Sequence, residues 1–443
     1  MTETNDPKVP LGLEPPFPIT NDKSQYIFWE GEAELRQQTF TLRGYARILL
    51  DRYPFPEFTF DFAPNNNSNQ RQTLPKIELS KAILDCGPHF GQIICDISFI
   101  DANIAGEVVS KVERPAEIAN VHEAVFIIFN GPHILGSPLR RGDHRFFGRL
   151  TARAATHEIT IDAMRGDAQE RNTVYEATHV ASCRFLTQQT YADIEELGTH
   201  LFRVLSLMRC RWVGILGPWL YDSSGNLIDV QPHVTKTTRN GNTLSWFYPA
   251  MDDSFQNFYS CMYSAFQDET RKSALRTAIH WLIEAEQCAG GIEGSLILQQ
   301  SALECLAWLE IVQVRKLCSE SGFKGLPASD KIRWLLSLNN ICCDIPSTSI
   351  HIHDYAKATN LPNLVAALTD VRNALVHAEP KKAEKLFGRK KGDEERAELW
   401  YQIGGVLQQA FLGSIEYKGM IFRRDLGRVY SHQAISLAPP NNE

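Results

Sequence analysis

The sequence has no feature that marks a secreted, membrane-spanning or disulfide-built protein. Its ten cysteines form neither a CxxC pair nor the even ladder of a secreted scaffold, and several lie in apolar stretches where a free thiol behaves as a small hydrophobe. The first 20 residues are polar and proline-rich rather than basic and then apolar, unlike a signal peptide. No apolar run approaches the roughly 20 residues that cross a bilayer. We therefore expect a soluble, cytoplasmic protein with reduced thiols and no membrane partner.

An excess of positive charge is also lacking. The chain has 45 lysine and arginine residues against 52 acidic ones, a formal charge of −7, which does not indicate a surface coated for nucleic acid. The negative excess lies in the N-terminal part, because residues 256–443 hold 21 residues of each sign. A nucleic-acid site is therefore expected in the C-terminal part. At 443 residues the chain is too long for one ordinary core, which predicts two or three domains.

The N-terminal part has the pattern of strands and turns. After a lead over residues 1–19 that we expect to be disordered, aromatic and β-branched runs alternate with Gly, Pro and Asn, which predicts one β-rich domain over residues 20–190. The predicted strands are 26–29, 45–50, 57–62, 92–99, 124–129 and 158–163. Residues 191–250 then predict a helix followed by a strand pair, an αββ connector that completes this region.

From about residue 255 the pattern changes to helices alone. Amphipathic spacing predicts a helical bundle over residues 255–425, followed by a C-terminal tail over 426–443. The predicted helices are 256–267, 271–288, 294–318, 328–341, 361–378 and 394–417. Residues 296–314 are apolar on most sides, as in the central helix of a bundle. The expected fold class is therefore α+β, a β-rich N-terminal domain followed by an all-α bundle.

The helix predicted at 361–378 carries the clearest chemistry. Asn360 is a plausible cap, and an apolar stripe of Leu364, Leu368, Val371 and Leu375 is expected to face the bundle. Asn373 and His377 are four residues apart and share a face, whereas Arg372 lies about 140° from His377 around an ideal helix. The two side chains of one helix therefore point in different directions and converge poorly on a single phosphate. Two copies related by a twofold axis remove that difficulty, which predicts a composite site in a homodimer.

Cleavage of RNA by its own 2′-hydroxyl needs groups of these types. A histidine near its ordinary pKa can take the 2′-hydroxyl proton or protonate the leaving oxygen. An arginine supplies a fixed charge whose fork matches phosphate oxygens. No metal or cofactor is needed in principle. The bland alternative is an exposed arginine and a histidine that complements the dipole at the end of the helix.

The segment from Arg372 to His377 resembles the RxxxxH signature of HEPN domains, with asparagine following the arginine as is often seen there. Residues 301–306 are similar to the helix that precedes this motif in ApeA-like phage-defence HEPN proteins, and residues 197–231 look like the end of their N-terminal sensing region. The resemblance covers roughly residues 190–420 and implies a homodimeric, metal-independent endoribonuclease, toxic to its own cell when triggered. It places Glu304 near the dimer groove, where it would orient Arg372 or His377.

A basic run follows the motif. Residues 379–391 contain six lysines and arginines and two glutamates. Such a basic run positions RNA by contacting its phosphates. The basic residues are Lys381, Lys382, Lys385, Arg389, Lys390 and Lys391. A second cluster follows at Arg423, Arg424 and Arg428. The alternative interpretation of this basic run is a solvated loop. For Glu304, the alternative is a structural ion pair.

Two further patterns have weaker functional interpretations. Cys342 and Cys343, with His351 and His353, are zinc-type ligands, but adjacent cysteines suit a tetrahedral site poorly and no metal is expected. The basic and aromatic residues between 140 and 153 resemble a single-strand binder, although alternation on a strand pair explains them better. The expected function is thus an RNA-cleaving effector of abortive infection, with a phage-derived trigger or regulatory ligand at the N-terminal domain. Two alternatives remain: a catalytically inactive HEPN module for dimerisation or for RNA or nucleotide binding, and a ligand-binding β domain with a helical oligomerisation tail.

Overall fold

The chain divides into two compact units in a computed structural model. The structure describes residues 9–19, 25–37, 40–51, 56–65, 81–88, 90–100, 103–111, 120–164, 175–241, 244–247, 252–376, 392–424 and 434–436. The first unit comprises residues 1–205 and 212–241, and the second comprises 206–211 and 242–443. The predicted fold class is confirmed at this level, since the first unit is β-rich and the second is helical.

Six strands close a barrel at the start of the first unit. Their order around the barrel is β1-β2-β3-β6-β5-β4, and the ring closes where Glu34 to Arg36 of β1 pair with β4. The strands are β1 Gln25–Gln37, β2 Phe40–Asp51, β3 Glu57–Pro64, β4 Lys81–Asp85, β5 Gln92–Ile100 and β6 Ile104–Lys111. Alternate residues point inward, as along β3, where Phe58, Phe60 and Phe62 are buried. A Cβ on Gly106 would lie 1.9 Å from the Asp96 carbonyl oxygen, so this wall needs glycine.

A seven-stranded antiparallel sheet forms the rest of the unit, in the order β13-β12-β7-β11-β10-β9-β8. Its strands are β7 Glu123–Phe129, β8 Ser137–Arg141, β9 His144–Arg153, β10 His157–Ala163, β11 Ala177–Phe185, β12 Gly214–Tyr221 and β13 Leu227–Val230. Helix α1, Tyr191–Arg209, connects β11 to β12. The sequence predicted one β-rich domain over 20–190, whereas the structure has a barrel and a separate sheet. The helix and strand pair predicted within 191–250 are present as α1, β12 and β13, and both strands extend this sheet.

The barrel and the sheet share one hydrophobic core. Phe28 of the barrel lies between Phe58 on its own side and Trp219 of the sheet, with ring centroids 4.7 and 5.0 Å away. Phe17, from the N-terminal lead, lies 5.5 Å from the same tryptophan ring. Such aromatic contacts add to the area that the rings bury. They fix the barrel against the sheet within the first unit.

The N-terminal lead is attached to the sheet where it is described. Gly12 N donates to the Arg140 carbonyl at 2.7 Å, and Arg140 N donates to the Pro10 carbonyl at 2.9 Å. Leu13 N donates to the Asp162 carboxylate, which also forms a 2.6 Å ion pair with Arg149. We call residues 10–14 the N-terminal strap. The expectation of a disordered lead over 1–19 was wrong for residues 9–19, because this strap completes the otherwise open edge strand β8; residues 1–8 lie outside the described part.

Eight described helices form most of the second unit. They are α2 Asp252–Gln267, α3 Glu269–Glu286, α4 Gly291–Trp308, α5 Glu320–Lys324, α6 Ala328–Leu338, α7 Ile350–Thr359, α8 Leu364–Val376 and α9 Gly392–Ser414. The spacing of apolar residues predicted six of these and missed the short α5 and α7. Strand β14, Met420–Phe422, pairs with β15, Ala434–Ser436, so the predicted C-terminal tail contains a strand.

Helix α4 is central, as its sequence predicted. It packs against α3, α6, α8 and α9, and it continues through a π-helical turn over Leu309–Val314. The segment Gly291–Val314 is long and apolar enough to cross a membrane, but 61% of its apolar 18-residue window is buried inside the fold. That burial is typical of the core helix of a helical bundle.

A buried ion pair anchors the end of the second unit to its helices. Arg424 Nη2 lies 2.8 Å from Glu286 Oε2 of α3, and the two side chains are 1% and 2% exposed. Arg424 also donates to the carbonyls of Tyr401 and Leu244. The sequence assigned Arg424 to a basic cluster for phosphates. That interpretation was wrong, because a side chain this deeply buried cannot reach RNA.

Candidate functional site

Helix α8 carries the candidate site, and its start is fixed by a side-chain cap. Asn363 Oδ1 accepts a hydrogen bond from Ala366 N at 2.9 Å, and Leu364 N donates to the Cys343 carbonyl. The predicted cap, Asn360, instead ends α7, where its φ of 56° places it in the left-handed region that asparagine tolerates. The helix therefore starts three residues later than the sequence predicted.

One face of α8 packs against α4, α6, α7 and α9. Its buried residues are Leu364, Val365, Ala367, Leu368, Val371 and Ala374. The predicted stripe is confirmed at its first three positions, but Leu375 is only half-buried and Ala374 takes its place in the core. On an ideal helix, which turns 100° per residue, Leu375 still falls within about 20° of Leu364, so helical periodicity does not explain this exchange. The opposite face is left for Arg372, Asn373 and Val376.

Arg372 and Asn373 lie side by side at the surface. Arg372 is half-buried, Asn373 is exposed, and Arg372 Nη1 donates to Asn373 Oδ1 at 3.3 Å. Within the described part of the chain, Arg372 forms no ion pair with a carboxylate. By contrast, Arg396 and Arg424 of the same unit each bind at least one. The Arg372 guanidinium therefore keeps donors available for an anionic ligand.

A contact that the sequence did not reveal holds this part of α8 in place. Tyr355 of α7 donates its hydroxyl hydrogen to Asp370 Oδ2 at 2.6 Å. Asp370 precedes Arg372 by two residues, so the bond ties α7 to the turn that carries the arginine. A tyrosine and an aspartate 15 residues apart in different helices have no periodic signature, and only their packing shows the pair.

Glu304, the predicted partner of the motif, lies half-buried on α4. Its Oε1 accepts a hydrogen bond from Gln300 Nε2 at 2.8 Å, one turn earlier on the same helix. Although α4 packs against α8, no hydrogen bond or ion pair among the described residues joins Glu304 to Arg372 or Asn373. Its proposed orienting role therefore has no contact to support it within one chain.

His377 and the basic run come after the described end of α8. The last described residue of α8 is Val376, which is 43% exposed, and description resumes at residue 392. His377, Lys381, Lys382, Lys385, Arg389, Lys390 and Lys391 therefore all lie outside the described residues. The predicted geometry between Arg372 and His377 stays a prediction.

The two weaker sequence patterns have structural explanations. Residues 137–153 form the hairpin of β8 and β9, in which Arg141 and Arg149 bind carbonyls of the N-terminal strap. The interpretation as alternating strand residues is thus confirmed. Cys342 Sγ contacts Asp344, and the described residues contain no group of three or more His, Cys, Asp or Glu side chains placed to bind one metal ion.

Two segments of the chain are similar to known protein families. Residues 268–433 match the family model of the YopA C-terminal domain, and residues 117–231 match that of the YopA central domain. The first match starts at Asp268, which caps α3, and it contains every residue of the candidate site. The second covers the seven-stranded sheet, whereas the barrel lies outside both matches.

A curated relative spans most of the chain. The SPbeta prophage-derived uncharacterized protein YopA of Bacillus subtilis (strain 168) is 24% identical over 358 residues, which cover 78% of this chain and 80% of that protein. No solved structure matches the chain. The chain is therefore similar to YopA in both of its units, and these similarities name no activity.

Proposed function

We propose that the chain is a metal-independent endoribonuclease of HEPN type that acts as a cytoplasmic homodimer. The observation that carries the proposal is the surface of α8, where Arg372 and Asn373 lie adjacent and the arginine has no carboxylate partner among the described residues. The buried opposite face and the Tyr355–Asp370 bond make this helix a rigid support. A rigid support is what a preorganised catalytic group needs.

Each residue has one role in the proposed reaction. His377, the residue after the described end of α8, takes the proton of the RNA 2′-hydroxyl or protonates the leaving 5′ oxygen. Arg372 stabilises the negative charge that builds on the phosphorane, and Asn373 holds the substrate or the partner subunit. The run from Lys381 to Lys391 contacts flanking phosphates. These steps require no metal or cofactor.

The proposed dimer uses the exposed side of α8. Val376 presents an apolar side chain next to the polar pair, and Ile350 at the start of α7 is 64% exposed. Exposed apolar side chains of this kind gain stability when a second surface covers them. A twofold interface would also bring the two copies of α8 together, as the angular separation of Arg372 and His377 favours.

In this proposal the first unit senses a trigger or restrains the nuclease. A relative described as prophage-derived is in keeping with a role in competition between phages, in which RNA cleavage harms the infected cell. Toxicity on expression, lost in an active-site variant, would be the cellular sign of such an effector. The alternative remains a HEPN-like bundle that dimerises without cleaving.

The test is RNA cleavage by the purified full chain with EDTA present. We expect Arg372→Ala and His377→Ala each to reduce cleavage by about 100-fold or more, because each removes a group used in the transition state. Matched controls are Arg333→Ala, a half-buried helical arginine already paired with Asp330, and His353→Ala, an exposed histidine on α7. Both controls should cleave like the unmodified protein.

Two results would reject the ribonuclease. One is cleavage that survives both active-site substitutions, and the other is no cleavage under any condition, including in extracts of phage-infected cells. A dimer that forms normally in the absence of cleavage would favour the non-catalytic alternative. If the protein were monomeric at the concentrations of the cleavage assay, an active site shared between two subunits would be excluded.

A further inference from the structure

A pocket of 430 Å³ lies in the first unit, where the barrel meets the seven-stranded sheet. Strand β6 lines it on the barrel side, and α1 and the chain segment after β13 line it on the side of the sheet. The volume is within the range of small-molecule sites, which often lie between packed substructures. What the pocket can bind is decided by the side chains that reach its surface.

Five polar side chains reach that surface from three directions. Within the described part of the chain, none of them forms a side-chain hydrogen bond. They are exposed or half-buried: Ser110 of β6, Glu195 and Thr199 of α1, and Gln231 and His233 after β13. By contrast, Phe126, Ile215 and Asp229 behind the walls are at most 2% exposed and cannot contact a ligand. The five accessible side chains therefore keep their hydrogen-bonding groups available for a ligand.

The local backbone holds these side chains in position. Glu195 and Thr199 are one turn apart and share a face of α1. The segment that carries Gln231 and His233 is bonded to β12, since Gln231 N donates to the Pro218 carbonyl at 2.9 Å and Gly217 N donates to the His233 carbonyl at 3.0 Å. The site is thus built before a ligand arrives, which lowers the entropic cost of binding.

The charges of the accessible lining favour an uncharged ligand. Protein atoms around the ring exclude water and lower the pKa of His233, while the Glu195 carboxylate opposes that shift. At pH 7 the imidazole is therefore neutral and offers one donor and one acceptor. None of the described residues that line the pocket is a lysine or arginine, so an anion finds no fixed positive charge. A cation gains little as well, because the single carboxylate lies at an exposed rim where water screens it.

We propose that this pocket binds an uncharged molecule with two neighbouring hydroxyl groups on a ring, the chemistry that ribonucleosides and free sugars share. The two oxygens of the Glu195 carboxylate accept a hydrogen bond from each hydroxyl. The Gln231 amide and the Thr199 hydroxyl bond the remaining polar groups of the ligand. Val109, which is 49% exposed, and the half-buried Pro232 cover its apolar face. This proposal is independent of the nuclease, because it concerns binding by the first unit alone.

The test is calorimetry on the full-length protein with adenosine and methyl ribofuranoside, which distinguish a nucleoside from a sugar. Neither probe has a phosphodiester bond that a nuclease would cleave. We expect at least one of them to bind with a dissociation constant on the order of 0.1–1 mM. Its 2′-deoxy counterpart should bind about 10-fold more weakly, because one hydrogen bond to a charged acceptor is lost. A phosphate on the 5′ oxygen should not increase the affinity.

Variants locate the binding. Glu195→Ala, on the exposed side of α1, should weaken the probe that binds by about 10-fold, and Gln231→Ala by about 3-fold. The matched control is Glu269→Ala, which removes an exposed helical carboxylate of α3 outside the pocket and should leave the affinity unchanged. The proposal would be overturned if neither probe saturated, or if the 2′-deoxy counterpart bound equally well. Tighter binding of the 5′-phosphate, or an unchanged affinity in the folded Glu195→Ala variant, would also overturn it.

Discussion

The buried pair of Arg424 and Glu286 makes a sharp prediction, because removing one partner leaves the other charged and without water. We consider Arg424→Met, which keeps most of the apolar stem and removes the guanidinium. In this variant Glu286 keeps, among the described residues, only the 3.3 Å hydrogen bond from Gln408. Breaking a buried ion pair in this way costs about 3–5 kcal/mol. For a unit of about 200 residues, that corresponds to a fall in Tm of roughly 6–20 °C.

The loss should depend on pH. Burial raises the pKa of Glu286, and Arg424 holds it down, so the variant raises this pKa further. A carboxyl with a raised folded-state pKa keeps its proton in the folded protein at pH values where the unfolded chain has lost it. Stability is therefore retained at low pH and lost as the pH rises through the folded-state pKa. The deficit of Arg424→Met should be smallest near pH 4 and grow towards pH 7.

The assay is urea unfolding, followed by circular dichroism at several pH values. The matched control is the double variant Glu286→Leu with Arg424→Met, which removes both charges and should recover to within about 1 kcal/mol of the unmodified protein. A deficit below about 1 kcal/mol in the single variant, or a deficit independent of pH, would refute the reasoning. A stable single variant with weakened RNA binding would instead restore the phosphate-binding role that the sequence suggested for Arg424.

Three further predictions concern local contacts. Asn363→Ala should cost about 1 kcal/mol through loss of the α8 cap, whereas Asn360→Gly, at a positive φ, should cost almost nothing; equal costs in urea unfolding would contradict the assigned caps. Arg149→Ala should leave the buried Asp162 with the Leu13 N–H but without its ion-pair partner and expose the N-terminal strap to proteolysis, so an unchanged rate of proteolytic cleavage would contradict the strap. Burial lowers the pKa of His200 to about 3, so stability should fall by up to about 1.4 kcal/mol per pH unit as the pH drops below about 6.5, and His200→Gln should flatten that slope.

The sequence predicted element types well where an apolar run was long. Strand β7 and helix α4 were predicted from apolar runs, and both are central in their unit. The division of the β-rich part into a barrel and a sheet could not be predicted, because it depends on which strands pair. Residues 34–36 close the barrel on β4, 47 to 51 positions away. Period-2 patterns fix which face is buried but not the partner strand.

The candidate site was predictable only in part, for a similar reason. The position of Arg372 on the exposed side of α8 follows from helical periodicity within 13 residues. The Tyr355–Asp370 bond and the single described partner of Glu304 depend on how α7 and α4 approach α8, and no local pattern encodes that approach. The sequence assigned the cap of α8 to Asn360, whereas Asn363 caps α8 and Asn360 ends α7. This difference has a local cause. Either asparagine could cap a helix, and the backbone between the two helices decides which one does.

Arg423 and Arg424 show most clearly what the sequence could not predict. As two adjacent arginines, they were interpreted as part of one basic cluster. The partner of Arg424 is Glu286, 138 positions earlier in the chain, and the cradle for its side chain is made by Gly404 and Gly405 of α9. A Cβ on Gly404 would lie 2.3 Å from Arg424 Nη1, so even alanine there would displace the pair. A basic residue can therefore be assigned to RNA only after its acidic partners are excluded. By that criterion Arg424 is a structural residue, whereas Arg372, with no such partner among the described residues, remains the better candidate for binding phosphate.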